Sequence, residues 1–247
     1  MKTNDRPLTD LMNAVDTGAA QLPDFQRGWV WDDGRIRALI LSVIHNFPVG
    51  AAMFLEYGNE SIHFKHKPIE GSGANPNTEP DELILDGQQR LTSLYNALYS
   101  KNPVHTKTDK GKEIDRYYYL DIEKALDPSA DDEEVVVSIP ASRQVTSDFG
   151  RKIEKDLSTR QDEFRLKMFP LNIILNSSEE QGWQNEYYAY YNYDPAIIRQ
   201  FTDLFSKIIM PTQKYAMPVI LLDKETPKEA VCQVFENVNT GGFLDCF

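Results

Sequence analysis

The segment Asp86-Gly87-Gln88-Gln89-Arg90 contains the residues whose types and spacing best suit chemistry. Glycine permits backbone conformations that other residues avoid, and a helix starting after it would offer unpaired N–H groups to an anion. Arg90, one turn inside that helix, would reach a phosphate with its planar guanidinium, and both glutamines add neutral donors and acceptors. Asp86 would hold a hydrated divalent cation or orient an attacking water. The pattern suits a phosphate site, but spacing alone favours an ordinary Asp-Gly turn followed by an arginine in a surface ion pair.

The flanking sequence predicts the elements that would position this segment. The run Glu82-Leu83-Ile84-Leu85 is short and apolar, as in a buried strand. After the turn, apolar residues recur at helical spacing: Leu91, Leu94, Tyr95 and Leu98. We therefore expect a strand, a tight turn and a helix, with Asp86 at the end of the strand.

The rest of the chain predicts an α+β fold, a mixed sheet core with surrounding helices and a helical C-terminal part. A first helix would be capped by Thr9 and end at Gly18, and a second would run from Asp32 or Asp33 to Pro48. Later helices would begin at Asp194-Pro195 and at the capping box of residues 226–229, the last reaching about residue 238. Extended segments are expected at 22–27, 51–57, 82–85, 117–122, 135–139, 171–175 and 216–222, with 61–65 as a hairpin partner of 51–57 and a loop at 71–80.

The length of 247 residues suits a single domain over residues 1–242, with a core at about 8–140 and a helical extension at about 150–242. Residues 243–247 would form a truncated or atypical tail. Its apolar residues Phe243, Leu244 and Phe247 would then pack or contact another subunit, so a homo-oligomer stays an alternative.

Composition limits the classes of function. The formal net charge of -12 disfavours non-specific binding to nucleic acid, so a DNA contact would need a local basic patch or a partner. The start of the chain has no apolar block, and the longest apolar run, at about 38–44, is too short to span a membrane, which predicts a cytoplasmic protein. Cys232 and Cys246 lack the spacing of a disulfide framework or a zinc site.

Two other segments allow a structural or a functional interpretation. The acidic residues of 127–134 are typical of a solvated loop, with a metal cluster as the weaker alternative. The tyrosines of 184–193 favour packing between subdomains over a platform for stacked bases, because they would cover both faces of a helix.

Four stretches in order carry a resemblance to a known family. They are Leu22-Pro23-Asp24-Phe25-Gln26-Arg27 with Trp31, Pro48-Val49-Gly50, Leu85-Asp86-Gly87-Gln88-Gln89-Arg90-Leu91-Thr92 and Phe235-Glu236-Asn237-Val238-Asn239-Thr240-Gly241-Gly242. Together they resemble the N-terminal domain of GmrSD-type restriction proteins, the DUF262 family.

The resemblance implies a fold similar to ParB and sulfiredoxin and a module that binds and hydrolyses a nucleoside triphosphate (NTP) with Mg²⁺. It implies that residues 86–90 form the nucleotide site, with Asp86, Gln89 and Arg90 in catalytic roles. Gln26 and Arg27 would approach the same pocket, with Arg27 as a brace of the fold as the weaker alternative. Asn239 would close over a phosphate or end a helix as an ordinary cap. Trp31 is expected in the core.

The resemblance also implies a setting, the restriction of modified phage DNA by a nuclease domain or subunit. The chain itself lacks nuclease features, since His45 lies at a helix end and His63 and His66 would point to opposite faces of a strand. Three functions stay open: an NTP-hydrolysing sensor that controls a nuclease, a module that reads modified DNA through Arg27, Arg35 and Arg37, and an inactive assembly subunit.

Overall fold

A computed structural model of the chain describes residues 2–58, 64–148 and 151–238. Helices and strands are interspersed along the chain, so the predicted α+β class is confirmed. The chain divides into two units: the first contains residues 1–29, 49–92 and 216–247, and the second contains residues 30–48 and 93–215. The boundaries predicted for a single domain stay a prediction.

The first unit is built on a mixed sheet with the strand order β1-β12-β3-β5-β2-β4. The strands are β1 (Lys2–Pro7), β2 (Ala20–Pro23), β3 (Ala52–Glu56), β4 (His66–Lys67), β5 (Glu82–Asp86) and β12 (Ala216–Leu222). Strand β5 pairs antiparallel with β3 and parallel with β2. The strand that ends in Asp86 is therefore held on both sides.

Helices cover this sheet with apolar side chains. In α1 (Leu8–Thr17) the residues Leu8, Leu11, Met12 and Val15 are buried, which is the expected face of an amphipathic helix. Gly18 ends α1 with a φ of 81°, and its N–H donates to Val15 O. Thr9 is not the cap that we predicted, because the helix begins at Leu8 and Pro7 takes the cap position without a side-chain hydrogen bond. Helix α10 (Lys228–Val238) places Val231 in a core cluster with Leu55, Leu83, Leu85 and Leu222.

The second unit contains its own sheet around the long strand β7 (Glu113–Asp121). It pairs antiparallel with β6 (Val104–Lys107), β8 (Val136–Pro140) and β11 (Met168–Pro170), while β9 (Gln144–Ser147) and β10 (Lys152–Asp156) form a separate pair. One core cluster joins these elements through Tyr119, Ile139, Leu157 and Met168.

Helices make up the rest of the second unit. They are α2 (Asp33–Ile44), α4 (Ile122–Leu126), α5 (Asp132–Val135), α6 (Arg160–Arg165), α7 (Ser177–Tyr190), α8 (Pro195–Leu204) and α9 (Met210–Gln213), with a π turn at Phe205–Ile209 between the last two. Asp32 caps α2 by accepting from the N–H of Arg35. In α7, Trp183 and Tyr187 are buried and their rings stack with centroids 4.9 Å apart. Part of the aromatic segment therefore packs inside this unit, whereas Tyr190 and Tyr193 are exposed.

Two predicted extended segments differ from the structure. The strand expected at 171–175 is wrong: β11 ends at Pro170 and a 3₁₀ turn follows at Leu171–Ile173. Buried apolar residues surround this turn, and a short run without polar alternation has no period that distinguishes a strand from a turn. Only the first part of 22–27 is extended, since β2 ends at Pro23 and a turn follows. Most of the predicted hairpin strand, residues 61–63, lies outside the described residues.

Candidate functional site

The segment 86–90 forms the strand, turn and helix that the sequence predicts. Asp86 ends β5, and α3 (Gln88–Leu98) begins two residues later. Gly87 lies between them with a φ of 88°, and a Cβ atom there would lie 3.1 Å from the Cβ of Ala52 on β3. The N–H of Leu91 closes the first helical turn on Gly87 O at 2.9 Å. Glycine is thus favoured by backbone conformation and by the close approach of β3.

Arg90 is bonded to main-chain carbonyl groups and to Asp86. Its Nη1 donates to Val49 O at 2.6 Å, and its Nη2 donates to Ala51 O at 2.9 Å. The same Nη2 lies 3.4 Å from Oδ2 of Asp86, one helical turn earlier. These contacts use three of the five N–H groups of a guanidinium. Arg90 therefore fixes residues 49–51 against the turn.

Three glutamines connect residues 26–28 to the turn. Gln26 donates from Nε2 to the carbonyl oxygens of Ile84 and Leu85 at 2.8 and 3.0 Å. In the reverse direction, Gln88 Nε2 donates to Arg27 O at 2.6 Å and Gln89 Nε2 donates to Gly28 O at 3.1 Å. Amide side chains suit this task because each provides donors that can satisfy a backbone acceptor. The segment 26–28 is consequently held along the end of β5 and the first turn of α3.

Neighbouring residues extend this network. Lys67 Nζ donates to Gln26 O at 2.7 Å, and the N–H of Trp29 donates to Glu70 Oε1 at 2.9 Å. Gln26 is 9% exposed, and its Oε1 atom has no hydrogen-bond partner among the described residues. Lys67 and Glu70 were missed from the sequence because neither belongs to a recognisable motif. The carbonyl groups bound by Arg90 were missed because a backbone acceptor leaves no trace in the sequence.

Exposure separates the residues that a ligand could reach from those that support them. Arg27 is exposed, and the side chain of Asp86 is 37% exposed. Gln88 is buried, and the side chain of Arg90 is 19% exposed. Of these four residues, Arg27 and Asp86 are therefore the ones whose charged groups a ligand can reach, and the exposed Glu70 adds a second carboxylate beside Trp29.

The structure brings together most of the predicted site. Gln26, Arg27 and residues 86–90 are linked by the hydrogen bonds above, and Pro48-Val49-Gly50 joins them through the contact of Val49 with Arg90. Asn239 lies outside the described residues. Trp31 is half-buried in the second unit.

The other candidate sites have little support. Arg35 and Arg37 each lie 3.4 Å from a carboxylate, of Asp32 and Asp33 respectively, so their charges are partly balanced. His63 lies outside the described residues. In the part of the chain that the structure describes, three or more His, Cys, Asp or Glu residues nowhere assemble into a metal-binding group.

A comparison with known families shows to which family this chain belongs. The model of the GmrSD restriction endonuclease N-terminal domain matches residues 8–244. This chain belongs to that family. That family model describes the N-terminal domain of a restriction endonuclease.

A second comparison found an uncharacterized protein of Methanocaldococcus jannaschii that is 28% identical over 247 residues. The match covers 95% of this chain and 39% of that relative, so this GmrSD N-terminal domain spans about two-fifths of its length. Among the described residues, helices are too short or too polar to cross a bilayer.

Proposed function

We propose that the strand, turn and helix at residues 82–98 bind the phosphate groups of a nucleoside triphosphate and promote its hydrolysis. The observation that carries this proposal is the glutamine network, which holds the exposed Arg27 beside the first turn of α3 and the carboxylate of Asp86. The first N–H groups of a helix have no partner within it and favour an anion. In a chain with a formal net charge of -12, such a local site is required to attract phosphate.

Arg27 and Arg90 have different parts in this proposal. Arg27 is exposed and provides the guanidinium that contacts a terminal phosphate. Arg90 donates to Val49 O and Ala51 O, so it mainly shapes the walls of the site and balances the charge of Asp86. Its remaining N–H groups add a phosphate contact when the nucleotide reaches the helix.

Asp86 fits the requirements of Mg²⁺, which enters nucleotide sites through one or two carboxylates together with the phosphates of the substrate. Its side chain is 37% exposed and lies at the turn where the phosphates would bind. The ion would supply charge neutralisation on the phosphate oxygens. Asp86 also orients the attacking water by accepting a hydrogen bond from it, and Gln89, in the first turn of α3, helps to hold that water.

Membership of a restriction endonuclease family indicates what this nucleotide hydrolysis would control. We infer that nucleotide binding and turnover report on the state of the domain to a nuclease partner acting on DNA, including modified DNA. The alternative, a reader of modified DNA through Arg27, Arg35 and Arg37, has less support because Asp32 and Asp33 lie against the last two arginines.

Calorimetric titration with ATP, GTP, CTP and UTP in the presence of Mg²⁺ tests the binding step. Arg27→Ala should weaken binding by about ten-fold or more, as expected for a lost charge-assisted hydrogen bond of about 1.5–3 kcal/mol. Arg199→Ala, which removes an exposed arginine from α8, is the matched control and should leave binding unchanged. Absence of binding to all four nucleotides, or equal losses in the two variants, would refute the proposal.

Phosphate release tests the catalytic step separately. Asp86→Asn keeps the size of the side chain and removes its charge, so we expect nucleotide binding to persist and turnover to fall by about 100-fold. Unchanged turnover in this variant would remove Asp86 from the catalytic role and leave a binding module.

A further inference from the structure

Glu180 is a buried acidic residue without a counter-ion among the described residues of the second unit. It is 1% exposed, and its Oε1 atom has no hydrogen-bond partner there. The preceding residue, Glu179, is paired with Lys101. Burial raises the pKa of Glu180, and no neighbouring charge offsets that effect in the part of the chain described. A buried carboxyl group of this kind is costly to a fold and is a candidate for a ligand contact.

Glu180 is one of the residues that line a cavity of about 250 Å³. The other lining residues are Gln181, Gln184 and Asn185 of α7 and Phe205, the first residue of the π turn. Gln184 donates from Nε2 to the hydroxyl of Tyr188 at 2.8 Å, which leaves one N–H group and the carbonyl oxygen of its amide for a ligand. The lining residues therefore include one carboxyl group, three side-chain amides and one aromatic ring.

The π turn is a second feature of this cavity. The N–H of Met210 donates to Phe205 O, a hydrogen bond that spans five residues. Such turns interrupt the regular α-helical pattern and occur frequently at functional sites. Here the interruption lies at the junction of α8 and α9, and its first residue contributes the aromatic wall.

We propose that this cavity binds a small organic cation, an alkylammonium or guanidinium group, with Glu180 as its counter-ion. Carboxylate and amide oxygens accept hydrogen bonds from such a cation, and an aromatic ring attracts it. A divalent metal ion fits less well, because Mg²⁺ and Ca²⁺ favour several oxygen ligands and the cavity holds one carboxyl group. The volume suits a ligand the size of a diamine or an arginine side chain. This site is in the second unit and does not depend on the proposed nucleotide site.

Titration of the full chain with putrescine, agmatine and methylguanidine tests the proposal, by calorimetry at about 0.15 M salt, where weak surface attraction is screened. We expect one molecule to bind per chain and Glu180→Gln to weaken the binding by about ten-fold or more. Glu186→Gln is the matched control, because it removes an exposed carboxylate from the same helix outside the cavity. It should leave the affinity unchanged.

Two results would overturn the proposal. The first is no binding of any of the three cations to the wild-type chain, and the second is equal affinity in the Glu180 and Glu186 variants, which would assign binding to the general negative charge. Thermal unfolding must show that Glu180→Gln is folded. If it is not, Phe205→Leu decides, since it keeps apolar volume while removing the ring; it should weaken binding about three-fold, and an unchanged affinity would reject the site.

Discussion

The Nη1 atom of Arg90 lies in the space that a side chain at Gly50 would need, since a Cβ atom there would be 2.5 Å from it. Gly50 also has a φ of 88°, in the left-handed region that other residues rarely adopt. This backbone conformation accompanies the arrangement in which the carbonyl groups of Val49 and Ala51, on either side of Gly50, both accept from the guanidinium. Gly50 and Arg90 therefore form one structural unit at the wall of the candidate site.

Replacing Gly50 tests this relationship. We expect Gly50→Ala to lower the free energy of unfolding by about 2–3 kcal/mol, from backbone strain and from displacement of the arginine. Denaturant titration measures the change. Gly111→Ala is the control, because Gly111 has a φ of 79° but nothing described lies within 4 Å of the position that its Cβ atom would take. Gly111→Ala should lower the free energy of unfolding by about 1–2 kcal/mol. Equal decreases for the two variants would show that Arg90 contributes nothing to the requirement for glycine at position 50.

Arg90→Lys separates a supporting role from a direct phosphate contact. Lysine keeps the positive charge but lacks the planar fork that reaches Val49 O and Ala51 O together, so stability should fall by about 1–2 kcal/mol. Nucleotide affinity should fall less than it does in Arg27→Ala. Parallel measurement of unfolding and of nucleotide binding, with Arg199→Lys as the control, distinguishes the roles. Full stability with lost affinity would instead make Arg90 a phosphate ligand.

The hydrogen bond from Gln88 to Arg27 O should limit opening of residues 26–28. Gln88→Ala removes this bond, and we expect hydrogen exchange at the N–H of Trp29, which donates to Glu70, to accelerate by about ten-fold. Exchange measured by mass spectrometry or NMR provides the readout. Gln233→Ala, at an exposed position of α10, should leave exchange unchanged. The same rate in wild type and Gln88→Ala would mean that other contacts hold the segment.

The sequence was sufficient to predict the local elements of the site. An apolar run before Asp86-Gly87 and helical spacing after it predict β5 and α3, because a local pattern determines both. The contact of Arg90 with Val49 could not be predicted, since a backbone carbonyl acceptor leaves no trace in the sequence and the partners are 41 residues apart. For the same reason, the proximity of Gln26 and Arg27 to the turn was expected from the family resemblance alone.

Other features depend on tertiary environment. Glu179 and Glu180 are chemically identical neighbours, yet the first is paired with Lys101 and the second is buried against a cavity. Only the packing of α7 distinguishes them. The turn at Leu171–Ile173 was mistaken for a strand because apolar residues in a fully buried segment follow no simple period.

Burial of Glu180 predicts a dependence of stability on pH. Its pKa in the folded chain is raised above the ordinary value of 4.5, so the folded state binds the proton more tightly than the unfolded state does. The resulting decrease in the free energy of unfolding is absent below pH 4.5, grows as the pH rises toward the folded-state pKa of Glu180, and levels off above that pKa. A glutamine at position 180 cannot ionise. The stability of Glu180→Gln relative to wild type should therefore increase as the pH rises through this range. Thermal unfolding across this range, with Glu186→Gln as the control for loss of one exposed charge, measures the difference. A difference between wild type and Glu180→Gln that stays constant with pH would mean that Glu180 has the same proton affinity in the folded and unfolded chain.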